Sequence, residues 1–452
     1  MAVSEERSAS VGLAPLLAVC CGYFMVILDV TIVNVAAPAI GRELGASLTD
    51  LQWIVDGYTV AFAGLLLFGG ALGDRWGHRR VFCLGVALFT VSSLGCAVAA
   101  NALVLTAFRL LEGCGAALLV PGSLALLQQV YRTPSARARA FGLWGAIAGV
   151  AATAGPLVGG VLTSTVGWRW VFAINLPVGV LCLVLTMARV GPSPRDAGRV
   201  IDPLGQAAVV VTVAAVIAAL NEAGRQGIGG PAVIGGVLVA VVAAGVLVLR
   251  ERFGAHPPLP LPMVRSRPVS GGTAIGFLFN FGFYGMIFAA SVYFQQHLNL
   301  SAAVAGLALL PAMAVTMVAS ALSGKLSDRF PHRRLMLIGL VTACAGLALW
   351  AVVGEVASYP VLAVAMIACG FGTSFTLTGA TSTVMNAAPA GYAGTASAAL
   401  NTARQTGSAA GVAISGSLIA LVGLPAGVAT FMAVGAAGYL LGAVLTALCV
   451  PR

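Results

Sequence analysis

Charged residues are scarce in this sequence. Only 8% of its 452 residues are Asp, Glu, Lys or Arg, Lys325 is the sole lysine, and 59% of the residues are hydrophobic. Together with a mean hydropathy of +1.00, this composition excludes an ordinary soluble globular domain. No polar stretch is long enough to fold by itself, so the sequence predicts no appended catalytic module.

Paired cysteines and catalytic motifs are also missing. The nine cysteines lie in apolar stretches and none forms a Cys-x-x-Cys pair, which argues against disulfides and metal sites. We interpret them as small apolar packing residues. The chain has no His-Glu-x-x-His motif and no Gly-x-x-x-x-Gly-Lys-Ser/Thr phosphate loop. We therefore predict no metal, no cofactor, no enzymatic activity and no ATP-driven transport.

Long apolar runs are what the sequence has instead. Each is close to 20 residues and can cross a bilayer core of about 30 Å. The first starts near Leu13 and is too long for a signal peptide. We predict an all-α integral membrane protein with fourteen spans: 13–37, 50–70, 81–100, 102–127, 140–163, 169–188, 204–221, 231–249, 270–294, 302–322, 335–353, 359–385, 396–420 and 428–449.

The basic residues are divided unequally between the two sides of these spans. A net charge of +10 would suggest a nucleic-acid partner in a soluble protein, but here the basic residues lie in short loops. Seventeen lie in loops on the side of the termini and three (Arg42, Arg169 and Arg225) on the other side. Because cytoplasmic loops are enriched in Lys and Arg, we predict that both termini are cytoplasmic, with no nucleic-acid partner.

A charged phrase occurs twice. Residues 70–80 read GALGDRWGHRR and residues 324–334 read GKLSDRFPHRR. The copies join spans two and three and spans ten and eleven, which indicates a duplicated six-span unit with spans seven and eight inserted. The predicted organisation is a tail (1–12), a first six-helix bundle (13–189), linkers with two inserted helices (190–268) and a second six-helix bundle (269–452).

With two six-span halves and this phrase, the chain resembles the major facilitator superfamily. Residues 28–38 (LDVTIVNVAAP) resemble the first-span signature of its fourteen-span drug:proton antiporters. Residues 109–117 (RLLEGCGAA) resemble the fourth-span motif, except that Glu112 stands where the family usually has Gln. Residues 149–160 (GVAATAGPLVGG) resemble the fifth-span antiporter motif.

Three further segments are similar to methylenomycin A resistance-type exporters: 175–179, 277–281 and 401–408. The resemblance implies a proton-coupled antiporter that exports small organic drugs or an antibiotic by alternating access across the bacterial cytoplasmic membrane. Its partners would be a small-molecule substrate, protons and the lipid bilayer, with no obligatory protein partner. The alternative on the same fold is a proton-coupled symporter or an exporter of a metabolite.

The repeated phrase is a candidate conformational switch. Its glycines allow close helix approach, and Asp74 can pair with neighbouring arginines or face a helix N-terminus across the interface between the halves. The resemblance implies that this contact steadies the outward-open state, whereas the alternative is a plain topology loop. Pro331 replaces Gly77 in the second copy, which we expect to contribute less. The predicted residues are Gly70, Gly73, Asp74, Arg75, Gly77, Arg79, Arg80, Asp328 and Arg329.

Four ionisable residues inside spans are candidates for proton coupling: Asp29, Asp56, Arg109 and Glu112. Each costs about 3 kcal/mol at a helix centre, so each should face a cavity or a partner. All four fall in the outer-to-middle zone of the first half, where a shielded carboxyl takes up a proton and Arg109 favours its release. The alternatives are that Asp56 is hydrated at a helix end and that Glu112 only satisfies Arg109.

The fifth-span motif, namely Gly149, Gly155, Pro156, Gly159 and Gly160, predicts a close-packed helix kinked by proline. The resemblance implies that it closes the pathway to leaks and sets the direction of antiport. Simple packing of a glycine-rich helix is the alternative.

A substrate cavity is predicted from polar and aromatic residues at depth: Asn34, Asn280, Tyr284, Asn401, Arg404 and Gln405. A wide apolar cavity with few polar anchors suits amphipathic drugs. The alternatives are that the aromatic-rich span faces lipid or packed core, and that Arg404 anchors the membrane interface. The substrate's charge stays open, because the in-span acids tolerate a cation whereas the resemblance implies a neutral or acidic antibiotic.

Overall fold

The computed structural model describes residues 13–46, 48–196, 202–227, 229–254, 263, 265–300, 302–354 and 358–451. All regular structure in these residues is helical. A π-helical turn, Tyr293–His297, directly follows the helix Arg267–Val292. The helices are α1 (Leu13–Leu44), α2 (Leu48–Trp76), α3 (His78–Ala97), α4 (Ala102–Val130), α5 (Pro134–Thr165), α6 (Arg169–Ala173), α7 (Asn175–Arg189), α8 (Pro203–Gln226), α9 (Pro231–Phe253), α10 (Arg267–Val292), α11 (Ala302–Leu326), α12 (His332–Val353), α13 (Tyr359–Ala387), α14 (Ala393–Val422) and α15 (Leu424–Cys449).

Prolines and polar caps set many of the helix starts. Pro134, Pro203 and Pro231 occupy the first turns of α5, α8 and α9, where the missing N–H has no helical partner to lose. Before α4, the side chain of Asn101 accepts a hydrogen bond from the backbone N–H of Val104 at 2.9 Å. The turns before α4, α5 and α9 are short, with three or four residues between consecutive helices.

The long helices form two groups, each with its own core. In the first group, α1 packs against α4, α5 and α7, and α4 packs against α2 and α3. Tyr23 and Trp144 lie in its core. In the second group, α10 packs against α13, α14 and α15, with Trp350 and Tyr439 in the core. Each group therefore buries its own apolar faces.

The inserted helices α8 and α9 pack on each other, and α8 also contacts α2 and α14 at the seam between the groups. Asp202 caps α8 by accepting from the backbone N–H of Leu204 at 3.2 Å. Nε of Arg250, near the end of α9, donates to Asp202 at 2.8 Å. This hydrogen bond holds the pKa of Asp202 below its usual range. The ion pair thus ties the two inserted helices together.

The interface between the groups has a two-fold pattern. The second helix of the first group, α2, crosses the fifth helix of the second group, α14, while α5 crosses α11 in the reciprocal way. This is the arrangement expected of a duplicated unit. We call the end of the bundle with the α2–α3 and α11–α12 turns the loop end.

Thirteen helical segments of the described chain are long and apolar enough to cross a membrane, so the count of fourteen spans is not confirmed. The predicted span at 396–420 falls on α14, which is 30 residues long but is not one of these thirteen described segments. The predicted sixth span consists of α6 and α7, which meet at Ile174.

Candidate functional site

Arg109 of α4 is a buried guanidinium held between two carboxylates. Its Nη1 donates to Oδ2 of Asp29 at 2.5 Å and to Oε2 of Glu112 at 2.7 Å. Arg109 is 1% exposed, and both acids are fully buried. The fold thus brings together α1 and α4 residues that are 80 positions apart. We call Asp29, Arg109 and Glu112 the triad.

The helix α2 forms one wall of the triad. Nε of Arg109 donates to the backbone carbonyl of Ile54 at 3.0 Å. The guanidinium carbon also lies 4.3 Å from the ring centroid of Tyr58, which is a cation–π contact. These two contacts fix the plane of the guanidinium.

Polar residues of α3 and α7 complete the surroundings of the acids. Nδ2 of Asn175 donates to Oδ1 of Asp29 at 3.3 Å and to Oγ of Ser93 at 3.0 Å. The Cys96 thiol lies 3.7 Å from Oε2 of Glu112. Oε1 of Glu112 has no hydrogen-bond partner within the described chain. Asp29 is therefore better satisfied than Glu112.

The charge of the triad decides what it can do. With both carboxyl groups ionised it carries one net negative charge away from water, and an uncompensated buried charge costs several kcal/mol. One bound proton makes the triad neutral. The triad can therefore bind or release a single proton as its surroundings change.

Two other predicted residues of this region, Asp56 and Asn34, lie on α2 and α1. Their side chains lie outside what the structure describes. Among the described side chains, two acids, Asp29 and Glu112, contact Arg109, and the predicted role of Asp56 stays a prediction.

In the first copy of the repeated phrase, Asp74 caps a helix of the other half. Its carboxylate accepts hydrogen bonds from the backbone N–H of Gly394 at 2.8 Å, the backbone N–H of Thr395 at 2.9 Å and the Thr395 hydroxyl at 2.7 Å. These groups belong to the first turn of α14, where free N–H groups and the helix dipole favour a negative charge. Nε2 of His78 lies 3.2 Å from Oδ1 of Asp74. Asp74 is only 5% exposed.

Glycine makes this contact possible. A Cβ built on Gly70 would lie 2.3 Å from the carbonyl oxygen of Gly394, so no side chain fits at the α2–α14 crossing. A Cβ built on Gly73 would lie 2.6 Å from Nδ1 of His78. Gly77 adopts φ = 92° in the turn before α3, a conformation that favours glycine.

The arginines of the first phrase differ in their contacts. Nη2 of Arg79 donates to the backbone carbonyl of Met187 at 2.7 Å, and its backbone N–H donates to Ser193 at 3.1 Å. Arg75 is half-buried and Arg80 is exposed. Arg79 therefore joins the phrase to the chain segment after α7, which stays within the first half.

The second copy makes a weaker contact. Oδ2 of Asp328 forms an ion pair with Nε of Arg139 in α5 at 3.3 Å, and the side chains of Asp328 and Arg139 are 34% and 54% exposed. Arg329 is also exposed. Gly324, the counterpart of Gly70, packs against α5, where a Cβ would lie 3.1 Å from the carbonyl oxygen of Ala138. The helix crossing is thus repeated, whereas the buried carboxylate is not.

The glycines of the fifth-span motif face three directions. A Cβ on Gly155 or Gly159 would collide with Thr31 or Ile32 of α1, and one on Gly149 would press on α11. A Cβ on Gly160 would meet nothing within 4 Å, because one residue along a helix turns the direction by about 100°. Gly160 therefore takes no part in close packing.

The helix α5 is continuous through position 156. The side chain of Pro156 lies outside what the structure describes. The predicted kink therefore stays a prediction.

A cavity of about 330 Å³ lies between the two halves. From the first half, Tyr23, Tyr58 and Gly149 contribute to its walls. Of the predicted cavity residues, it is lined by Asn280, Tyr284, Asn401, Arg404 and Gln405. Arg404 thus lies in the cavity wall between the halves.

Among the described residues, no group of three or more His, Cys, Asp or Glu side chains is placed to hold a metal ion. The cavity is instead walled by aromatic, aliphatic, hydroxyl and amide side chains and by Arg404. Its size and lining are those of a site for a small organic molecule.

Comparison with known proteins gives the family. The model of the Major Facilitator Superfamily matches residues 19–412. The chain belongs to the major facilitator superfamily. It is 37% identical to the methylenomycin A resistance protein of Bacillus subtilis (strain 168), over 92% of this chain and 90% of that protein. It is 35% identical to the tetracenomycin C resistance and export protein of Streptomyces glaucescens, over 90% of this chain and 75% of that protein.

A solved structure shows the same fold. The proton:xylose symporter XylE, bound to 6-bromo-6-deoxy-D-glucose, superposes with a TM-score of 0.70 at 15% identity, covering 97% of this chain and 96% of that one. The major facilitator fold and a multi-pass membrane transporter are thereby established for this chain. Members of this superfamily act on small molecules as single chains.

Sequence reasoning missed three residues of the site. Tyr58 stacks on Arg109 and also lines the cavity, yet nothing distinguishes it from other aromatic residues in an apolar run. Asn175 lies in a segment noted only for its resemblance. Trp144 stacks on Tyr23 with ring centroids 3.8 Å apart. A polar residue such as Asn175 at the start of an apolar helix is the one signal that could have been used.

Proposed function

We propose that this protein is a proton-coupled antiporter that exports small organic drugs or an antibiotic across the bacterial cytoplasmic membrane by alternating access. The observation that carries the proposal is the triad: Arg109 lies between Asp29 and Glu112, all buried, beside a cavity between the two halves. The names of the two similar resistance proteins support export of antibiotics.

The proton would be held by the two carboxyl groups. Because one guanidinium neutralises only one of them, the second is stable in a dry site only when it is protonated. Glu112 is the better candidate, since its Oε1 lacks a hydrogen-bond partner within the described chain. Access of water from one side would then let this proton leave.

Tyr58 would couple the proton to the substrate. One face of its ring covers the guanidinium of Arg109, and the same residue lines the cavity. A substrate that displaces the ring changes the environment of Arg109 without touching it. Proton release and substrate binding would thus influence each other through one side chain.

Alternating access would use the Asp74 contact as its switch. In the described conformation this contact joins α2 to α14 at the loop end. With the positive-inside distribution of loop arginines, we place the loop end and both termini in the cytoplasm. The structure then corresponds to a protein closed on its cytoplasmic side.

The test uses purified protein in liposomes with an acidic lumen and a pH-sensitive dye inside. Addition of a substrate should release lumenal protons, and the panel includes methylenomycin A, tetracenomycin C and cationic dyes. We expect the Asp29→Asn/Glu112→Gln double variant to lower the rate at least tenfold while still binding substrate. Glu43→Gln is the matched control, because Glu43 is an exposed acid paired with Arg169.

Two results contradict the proposal. Full proton release by the double variant would show that the triad is not the proton carrier. Uptake of protons and a nutrient in the same direction would identify a symporter instead.

A further inference from the structure

Arg404 lies in the wall of the central cavity. It belongs to α14, about three turns after the helix begins at Ala393, and its side chain contributes to the cavity surface. Its backbone carbonyl accepts a hydrogen bond from Nδ2 of Asn280 at 2.9 Å. That bond involves the main chain alone, so it explains the packing of α10 on α14 but not the presence of a guanidinium.

The guanidinium is only partly satisfied by protein groups. Nη1 donates to Oδ1 of Asn401 at 3.0 Å, while Nε is buried without a hydrogen-bond partner among the described residues. The guanidinium carbon lies 6.0 Å from the ring centroid of Trp144 and 5.8 Å from that of Phe279. A guanidinium offers five N–H donors. Most of the N–H donors of Arg404 therefore face aromatic rings, which are weak acceptors, or the cavity.

The charge around Arg404 is unbalanced. It is the sole charged residue among the described residues that line the cavity. The buried acids of the neighbouring triad, Asp29 and Glu112, both accept from Arg109. Tyr23, which shares a side-chain hydrogen bond with Arg404, and Tyr284 are its other electrostatic neighbours, and neither hydroxyl is an ordinary counter-charge. The cavity wall therefore carries a positive charge, and no carboxylate is among the described residues that line it.

The rest of the cavity suits a flat apolar body. Tyr23 lines the cavity together with Phe279, Phe283 and Ile287, and its ring stacks on the buried Trp144 with an interplanar angle of 6°. A ligand with a planar body and one anionic group would fill both parts of the site, because a carboxylate matches the fork of a guanidinium. A cationic ligand would lose water around its charge and meet a like charge.

We propose that Arg404 binds the carboxylate of the transported compound, so that the preferred substrates are small organic acids with flat apolar bodies. This inference rests on the proposed function only in taking the cavity ligand to be the exported compound. It assigns the substrate charge that the sequence leaves open. It also separates the two arginines by role, with Arg109 neutralising protein acids and Arg404 neutralising the ligand.

The test compares two probes that share a body and differ in charge. Calorimetric titration of the full-length protein in detergent at pH 7 uses 1-naphthoate and 1-naphthylmethylammonium. We expect the wild-type protein to bind 1-naphthoate at least tenfold more tightly. Arg404→Gln should weaken 1-naphthoate binding at least tenfold and abolish the preference, whereas Arg404→Lys should retain a reduced preference, since lysine keeps the charge but loses the fork.

Two further variants separate charge from folding. Arg252→Gln removes an exposed arginine at the end of α9 and should leave both affinities unchanged. Ser408→Asp places an acid four residues after Arg404 in α14, also on the cavity wall. It should lower the affinity for 1-naphthoate at least tenfold by supplying an internal counter-ion, even if Arg404→Gln does not fold.

The outcomes are distinct from those of the proton assay. The proposal is overturned if the wild-type protein prefers the cation, binds neither probe, or keeps a tenfold preference for the anion in both Arg404→Gln and Ser408→Asp. Binding at equilibrium needs no pH gradient. Selective binding of 1-naphthoate without proton release would thus support the anion site while contradicting the antiport mechanism. Proton release driven by cationic dyes alone would support the antiport mechanism while contradicting the anion site.

Discussion

The two copies of the repeated phrase have similar sequences but different surroundings. Asp74 is buried and accepts three hydrogen bonds from the first turn of α14, whereas Asp328 is partly exposed and forms an ion pair with the exposed Arg139. Both phrases begin with a glycine at a crossing between the halves. A repeated motif can therefore keep its packing role in both copies while only one copy keeps a strong electrostatic contact.

The energies of the two contacts should differ accordingly. A hydrogen bond to a charged group contributes about 1.5–3 kcal/mol when the group is shielded. An exposed ion pair contributes about 0–1 kcal/mol, because water and salt screen it. If the phrases act as conformational switches, the first should dominate the equilibrium between the open and closed loop end.

Asp74→Asn should have the largest effect. It removes the negative charge from the start of α14 and leaves at most a neutral acceptor, so we expect substrate-dependent proton release to fall at least tenfold. Hydrogen exchange of a peptide covering 390–400 should become faster, since the N–H groups of Gly394 and Thr395 lose their acceptor. Asp328→Asn is the paired control and should change the rate less than threefold. Equal effects of the two variants would contradict our expectation that the Asp74 contact is stronger than the Asp328 contact.

Gly70→Ala should have the second-largest effect on transport. The added methyl would lie 2.3 Å from the carbonyl oxygen of Gly394, and overpacking of this kind costs about 1–3 kcal/mol. We expect the transport rate to fall about tenfold. Gly324→Ala, whose methyl would lie 3.1 Å from the nearest atom, should lower it about threefold or less. A larger loss for Gly324→Ala would mean that the α5–α11 crossing is the critical one.

Thr395→Val tests a single hydrogen bond of the buried contact. It removes the hydroxyl that donates to Asp74 at 2.7 Å but keeps both backbone donors and the shape of the side chain. One such bond is worth about 1.5 kcal/mol, so we expect proton release to fall by up to about tenfold. Thr395→Ser, which retains the hydroxyl, should stay near the wild-type rate. Loss of activity in both variants would instead point to packing.

Arg139→Gln should have the smallest effect. It breaks the exposed ion pair of the second copy, and we expect less than a twofold change at 0.15 M salt because such charges are screened within about 8 Å. Measuring the rate at low salt sharpens the test, since any contribution of this pair should grow there. A tenfold loss at either salt concentration would be inconsistent with a weak second contact.

The fold could be predicted from the sequence because its determinants are local. Apolar runs define most of the membrane helices, and the repeated phrase reveals the duplication. In α14 the polar residues Asn401, Arg404 and Gln405 interrupt an apolar run, and the structure shows that they line a cavity. Hydropathy alone does not distinguish a cavity-lining helix from a helix that stays outside the membrane.

The site could be predicted only in part. Charged residues inside apolar runs revealed Asp29, Arg109 and Glu112, since each needs a partner there. Their pairing across 80 residues and the double contact of Tyr58 depend on how α1, α2 and α4 cross, which the local sequence does not encode. The absence of a carboxylate around Arg404, within the described residues, likewise emerges only in three dimensions.

The close glycine contacts of α14 with α10 define a point about which this helix can pivot. Gly407 and Gly411 pack against the backbone of α10, where a Cβ on either would lie 2.2 Å from a carbonyl oxygen. We therefore expect α14 to pivot at this close contact. Gly394, at the end of α14 that Asp74 caps, is thirteen residues from Gly407, and Arg404 is three residues from Gly407. If α14 pivots as a rigid helix at Gly407, Arg404 moves by roughly a quarter of the displacement of Gly394. A swing of the loop end by several ångströms would thus shift the guanidinium by about 1 Å, which is enough to loosen a hydrogen-bonded ligand.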